Sequence, residues 1–352
     1  MRVLHDATPS VCRRSAGARA ISSPALSPAV PRADARSDAA ALAAAARRAL
    51  AAPELPLPGS GRTLQRWRAL AAIAATDLCL VKVMEAHYDA VAILAELGGS
   101  APPAGELLAV WAAEPPDARL GFEAGEDGRG TLSGEKAWCS GADLVDAALV
   151  TAHCGGRRCL VRVDLRQRGI VHDPAAWQAV GMGRVTSGRV RFESVPARML
   201  GAPGDYLSRP GFWHGGAGIA ACWYGGAAAI GQTLRTHPKI AGDAHAAAHL
   251  GAVDMALGGA AALLRELAAR IDAEPALAHA EDTIRARSVV ERACGAVVDR
   301  VGRALGPAPL CGDRTHALRC ADLATFVRQS HAEHDWAALG RAAAERDGAW
   351  TL

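Results

Sequence analysis

"LSGEKAWCSGADLVDAALVTA" (Leu132 to Ala152) decides how this chain folds. Alternating apolar residues lead into Lys136-Ala137-Trp138-Cys139-Ser140-Gly141, and a second apolar run follows. The period of two, broken by glycine and serine, predicts two strands joined through a turn. A tryptophan inside such a turn is either a core plug or a flat wall for an equally flat ligand. The choice matters because aromatics make up only 4% of the 352 residues, so none is placed idly.

The alternation extends outward. "LLAVWAAE", "RLGFEAG", "AALVTAHC", "CLVRVDL" and "GRVRFESV" read as further short strands between Glu106 and Leu200, divided by Gly, Asp and Pro turns. On the N-terminal side, Ser37 to Leu97 carries apolar residues at three- and four-residue spacing and stops on Gly98-Gly99. On the C-terminal side the helical period returns over 212–234, 243–273, 279–305 and 314–340. Helices, strands and helices are thus segregated, which is α+β organisation and not an alternating βαβ chain. The expected units are a low-complexity tail (1–35), a helical domain (36–105), a β domain (106–205) and a helical bundle (206–345). The tail is rich in Ala, Ser, Pro and Arg and is read as disordered.

Composition narrows the function classes. There are 39 basic against 36 acidic residues, a net charge of +3, which gives no electrostatic case for nucleic acid or an anionic membrane. Nine cysteines without a C-x-x-C pair read as reduced thiols of a cytoplasmic protein rather than a disulfide or zinc framework. The most apolar stretch, Gly215 to Gly231, is dense in glycine and alanine and suits a buried core helix of a soluble chain. No metal site is expected: His331 and His334 lack a third ligand.

Three stretches in order carry a resemblance: "VWAAEPP" (Val110 to Pro116), "DGRGTLSGEKAWCSGA" (Asp127 to Ala142) and "GMGRVTSGRVRFESVPARMLG" (Gly181 to Gly201). With the switch from strands to helices, the chain resembles the acyl-CoA dehydrogenase family. That resemblance implies an N-terminal helical domain, a central antiparallel β-barrel-like domain and a C-terminal four-helix bundle. It also implies FAD, an acyl-CoA or acyl thioester substrate, a flavoprotein electron acceptor and a homodimer or homotetramer. Trp138, Cys139 and Ser140 would form one side of the flavin wall, and Trp111, Ala113 and Glu114 the other. Following backbone N–H and hydroxyl groups would meet the polar edge of the ring. Taken alone, Trp138 and Cys139 read equally as an ordinary core aromatic and a small buried hydrophobe. Ala113 stands where the family turn has threonine.

The family's C-terminal glutamate motif is absent. In "LRCADLATFVRQSHAEHDWAALG" the position eight residues after Asp322 is Ser330. His331 is the leading candidate base and Glu333 the second. A solvated turn in which His331 pairs with Asp335 is the plain alternative. The expected reaction is α,β-dehydrogenation, with a flavin-dependent monooxygenase or a non-catalytic scaffold of the same fold as the other readings. His214, at the head of a glycine-rich helix expected to line the acyl cavity, falls beside the place of family substrate contacts.

Overall fold

The computed structural model describes residues 35–350, so the reading of the tail lies, but for Ala35, outside the described residues. Three helices come first: α1 (Ala35–Ala49), α2 (Thr63–Thr76) and α3 (Leu78–Glu96). The helical text from Thr63 to Leu97 is broken at Asp77. Its backbone is extended, and its carboxylate accepts from the Cys79 and Leu80 amides at 2.9 and 3.1 Å. This N-cap satisfies amide donors that the first turn of a helix otherwise leaves open. The same carboxylate holds Arg184 at 2.6 and 2.8 Å, tying the helix start to the Gly181–Gly201 stretch.

Seven strands follow: β1 (Leu108–Trp111), β2 (Leu120–Ala124), β3 (Arg129–Lys136), β4 (Ala147–Cys154), β5 (Arg157–Asp164), β6 (Ile170–Asp173) and β7 (Arg189–Leu200). The order β4-β2-β3-β7-β5 closes through a β4–β5 pairing, so the sheet curls into a barrel-like ring. It is mixed rather than wholly antiparallel, which corrects the sequence expectation. β1 runs parallel to β4 with Leu108 opposite Ala147, and β2 meets β4 in parallel at Gly121 and His153. The reason lies in the connections: the chain passes through the β2–β3 hairpin before β4 and returns in the direction of β1. Phe122, Leu132, Val161 and Phe192, each at most 3% exposed, fill the interior.

The helices resume with α4 (Asp205–Ser208), α5 (Gly211–Arg235), α6 (Ala244–Ala273), α7 (Ala280–Leu305), α8 (Ala308–Gly312), α9 (Arg314–Phe326) and α10 (Glu333–Ala344). α5 packs on α2, α6, α7 and α9, so the N-terminal helices join the C-terminal ones in one layer. Gly225 makes that packing close: it faces the backbone of Ala71 with no room for a side chain. α6 is long and apolar enough to cross a membrane by length and composition, although the sequence singled out Gly215 to Gly231. Much of its surface faces outward, with Met255 73% exposed.

Eight cysteines are free among the described residues, and Cys79, Cys139, Cys159, Cys222 and Cys294 are buried. Burial pushes the thiols of Cys79, Cys139 and Cys294 up to about 12.

Candidate functional site at the seam of sheet and helices

The turn after β3 places its tryptophan at the surface and not in the core. Trp138 is 55% exposed, its backbone is left-handed (φ +59°), and its indole meets Trp177 edge-on at 6.1 Å. A left-handed tryptophan is a costly conformation and marks a place where surroundings impose it. They do so here: the Cys139 amide donates to Gly188 O at 3.0 Å and the Gly141 amide to Thr186 O at 2.9 Å. The turn is knotted to the segment before β7 and presents its indole outward.

The other predicted wall residues divide. Cys139 is fully buried, with its thiol on Lys136 O. Trp111 is 1% exposed and its indole N–H donates to Ser140 O at 3.1 Å, so it braces the turn from behind. Ser140 Oγ lies 2.8 Å from Ser187 Oγ. Ala113 is exposed. Glu114 holds Arg158 at 2.6 Å, His153 at 3.2 Å and buried Lys136 at 3.7 Å. Lys136 also donates to Thr151 O and Oγ1 at 2.7 Å, and burial lowers its pKa to about 8 despite Glu114. Glu114 is therefore engaged in fixing the strand ends.

Strand alternation carries the site to the other side of β1. Ala109 and Trp111 point into the barrel, whereas Val110 and Ala112 face a cavity of about 280 Å³ between the sheet and α3, α5 and α7. Lys82, Glu85 and Asp89 of α3 line it, one helical face at spacings of three and four. Arg287 of α7 faces them, donating to Gly216 O at 2.6 Å and stacking on Trp223 at 4.8 Å. Burial and the nearby Asp89 raise Glu85 to about 7. Asp89 is likewise raised by burial, and its Oδ1 is enclosed without a hydrogen-bond partner among the described residues. A larger cleft of about 760 Å³ lies at the opposite end of β3 from Trp138, lined by Arg129, Arg162 and Arg198.

The C-terminal segment reaches the cavity only at its mouth. His331 lines it but is largely exposed, 3.5 Å from Asp335 Oδ1, which is the i,i+4 pairing read as the plain alternative. Glu333 is exposed in the first turn of α10 and is not among the lining residues. His214 is buried away from the cavity, its Nε2 at 2.8 Å from Leu277 O. No group of three metal-ligating side chains gathers among the described residues.

No protein-family model and no curated protein matches the sequence. Solved structures do match. Butyryl-CoA dehydrogenase from Megasphaera elsdenii aligns with a TM-score of 0.70 at 15% identity, over 90% of this chain and 100% of its own. Nitrososynthase from Micromonospora carbonacea var. africana gives 0.70 at 16% identity, over 88% of this chain and 93% of its own. TdsC from Paenibacillus sp. A11-2, a dibenzothiophene monooxygenase solved with FMN and indole, gives 0.67 at 19% identity, over 87% and 96%. This chain has the acyl-CoA dehydrogenase fold.

Within the acyl-CoA dehydrogenase fold, the three motifs that suggested it meet in space: the Trp111 indole donates to Ser140 O and the Cys139 amide to Gly188 O. Asp322 accepts the Met182 amide at 2.5 Å and the Cys79 thiol at 3.7 Å, joining α9 and α3 to the loop before β7. The exposed, rigidly held indole of Trp138 stands where the resemblance would seat a flavin ring. The amides of residues 139–141 all donate within the protein. Trp138→Ala is expected to weaken flavin binding roughly tenfold. Because the indole is exposed, thermal stability should change by less than about 0.5 kcal/mol. A flavin fluorescence titration beside a thermal melt checks both.

The α3 stripe escaped the sequence reading. Its signal was present: Lys82, Glu85 and Asp89 recur on one face of an otherwise apolar helix, "LCLVKVMEAHYDAVAIL". Charged residues on a buried face are unusual unless paired or functional.

Proposed function

We propose that this chain is a flavin-dependent oxidoreductase that binds FAD against Trp138 and catalyses α,β-dehydrogenation of a short acyl thioester held in the seam cavity. The observation that carries the reading is the cavity itself, which brings an ionisable carboxylate next to the strand whose other face braces the aromatic turn. Its volume lies at the small end for ligand pockets, which favours a short acyl group over a long chain. Bound flavin supplies the two-electron oxidant. The residues of this chain orient the thioester, exclude water and take its α proton.

A monooxygenase is the second reading. It is favoured by the outward position of Glu333 and by the likeness to TdsC. The free thiols support a reducing, cytoplasmic setting, and the outward apolar face of α6 supports a homodimer or homotetramer. In the dehydrogenation reading a separate flavoprotein accepts the electrons from the reduced flavin.

The test is anaerobic addition of butyryl-CoA to flavin-loaded protein. Bleaching of the flavin absorbance is the expected result. Flavin that stays oxidised with butyryl-CoA, yet once reduced by an external donor hydroxylates an added aromatic in air, would establish the second reading instead.

A further inference from the structure

We infer that Glu85 is the group that accepts the substrate's α proton in the seam cavity, a role that rests on the dehydrogenation reading. Glu85 is 5% exposed and has neither hydrogen bond nor ion pair among the described residues, yet it lines an open cavity. A buried carboxylate without a partner is costly, and proteins retain one mainly where a ligand or a reaction uses it. Its neighbour Asp89 is less suited. Asp89 Oδ1 is sealed from the cavity against α5, where a methyl group at Gly215 would fall on it. His331 is solvated at the mouth and paired with Asp335.

The step is a proton transfer. The Cα–H bond breaks, the proton goes to a carboxylate oxygen of Glu85, and the electron pair stays on the thioester as its enolate. The reverse step returns a proton or, in heavy water, a deuteron. This half of the chemistry is redox-neutral and can be followed without turnover. The charged and titratable groups around Glu85 are Lys82 and Asp89 on its own helix, Arg66 on α2, Cys222 on α5, Tyr206 on α4 and Arg287 on α7. The cations favour the ionised form, and burial and Asp89 oppose it. The two tendencies leave the group near neutral pH, where a base exchanges protons most effectively.

The experiment follows the α-methylene of butyryl-CoA by proton NMR in D₂O with the flavin-loaded full chain. Wild type should exchange its α protons, with a rate that rises through about pH 7. Glu85→Gln should slow exchange at least 100-fold while butyryl-CoA affinity changes little. Glu85→Asp should restore part of the rate. Infrared titration of flavin-free protein gives a second readout: the carboxyl band that titrates near pH 7 should vanish in Glu85→Gln alone. Undiminished exchange in Glu85→Gln, with wild type bleaching normally, overturns the assignment and leaves the dehydrogenation reading standing. A wild type that neither exchanges nor bleaches overturns both.

Discussion

Gly225→Ala is expected to destabilise the protein by about 1–3 kcal/mol, a large effect for one added methyl group. In most helices the same change helps, because alanine is favoured over glycine by up to about 1 kcal/mol. The sign reverses here because the new Cβ would lie within 2.8 Å of the Ala71 carbonyl carbon, carbonyl oxygen and Cα. Those are backbone atoms, so no rotamer change relieves the overlap and α2 and α5 must move apart. Separation would in turn loosen the wall of the seam cavity, since Gly215, Gly216 and Ile219 lie on the same helix. Gly251→Ala on α6 is the control. Nothing lies within 4 Å of its added methyl group, so it should stabilise slightly. Denaturant melts of the two variants decide the matter: equal and small shifts would show that α2 and α5 are not in backbone contact.

Glu85→Gln should stabilise the fold at alkaline pH and lose that advantage in acid. Glu85 is raised from 4.5 to about 7 in the folded protein. An acid with a raised folded pKa favours the native state when protonated, so its contribution is full below about pH 4.5. It declines as pH rises and is gone above about pH 7. At 1.36 kcal/mol per pKa unit, the loss reaches at most about 3 kcal/mol. Glutamine does not titrate and avoids it. The difference in unfolding free energy between variant and wild type should therefore widen from pH 4 to pH 8 and then level off. A difference that is flat across this range would mean that Glu85 is hydrated or paired in solution.

The fold was legible because each layer has its own period. Alternation from Glu106 to Leu200 marked the strands, and the helical spacing on both sides marked the layer packed against them. The direction of β1 was not legible, since pairing direction follows from how later strands return and not from local pattern. At the site, the exposed indole of Trp138 was only one of the two readings that its glycine and serine turn allowed. The inward turn of Trp111 was not legible, because "VWAA" fits the pleat in either phase. The α3 carboxylates lie far in sequence from the C-terminal segment where the resemblance places a base, and their signal is the charge that interrupts an apolar helix at Lys82, Glu85 and Asp89.

The sulfur chemistry of this molecule is governed by its packing. Among the described residues most thiols are sealed within the sheet or between helices, and burial keeps several of them protonated at any physiological acidity. An oxidant or alkylating reagent in solution finds Cys311 at the surface, while Cys139 under the indole turn and Cys294 within the bundle wait for the layers to part. Their modification is therefore paced by how often the interior breathes, and adding more reagent cannot hasten it beyond that rate.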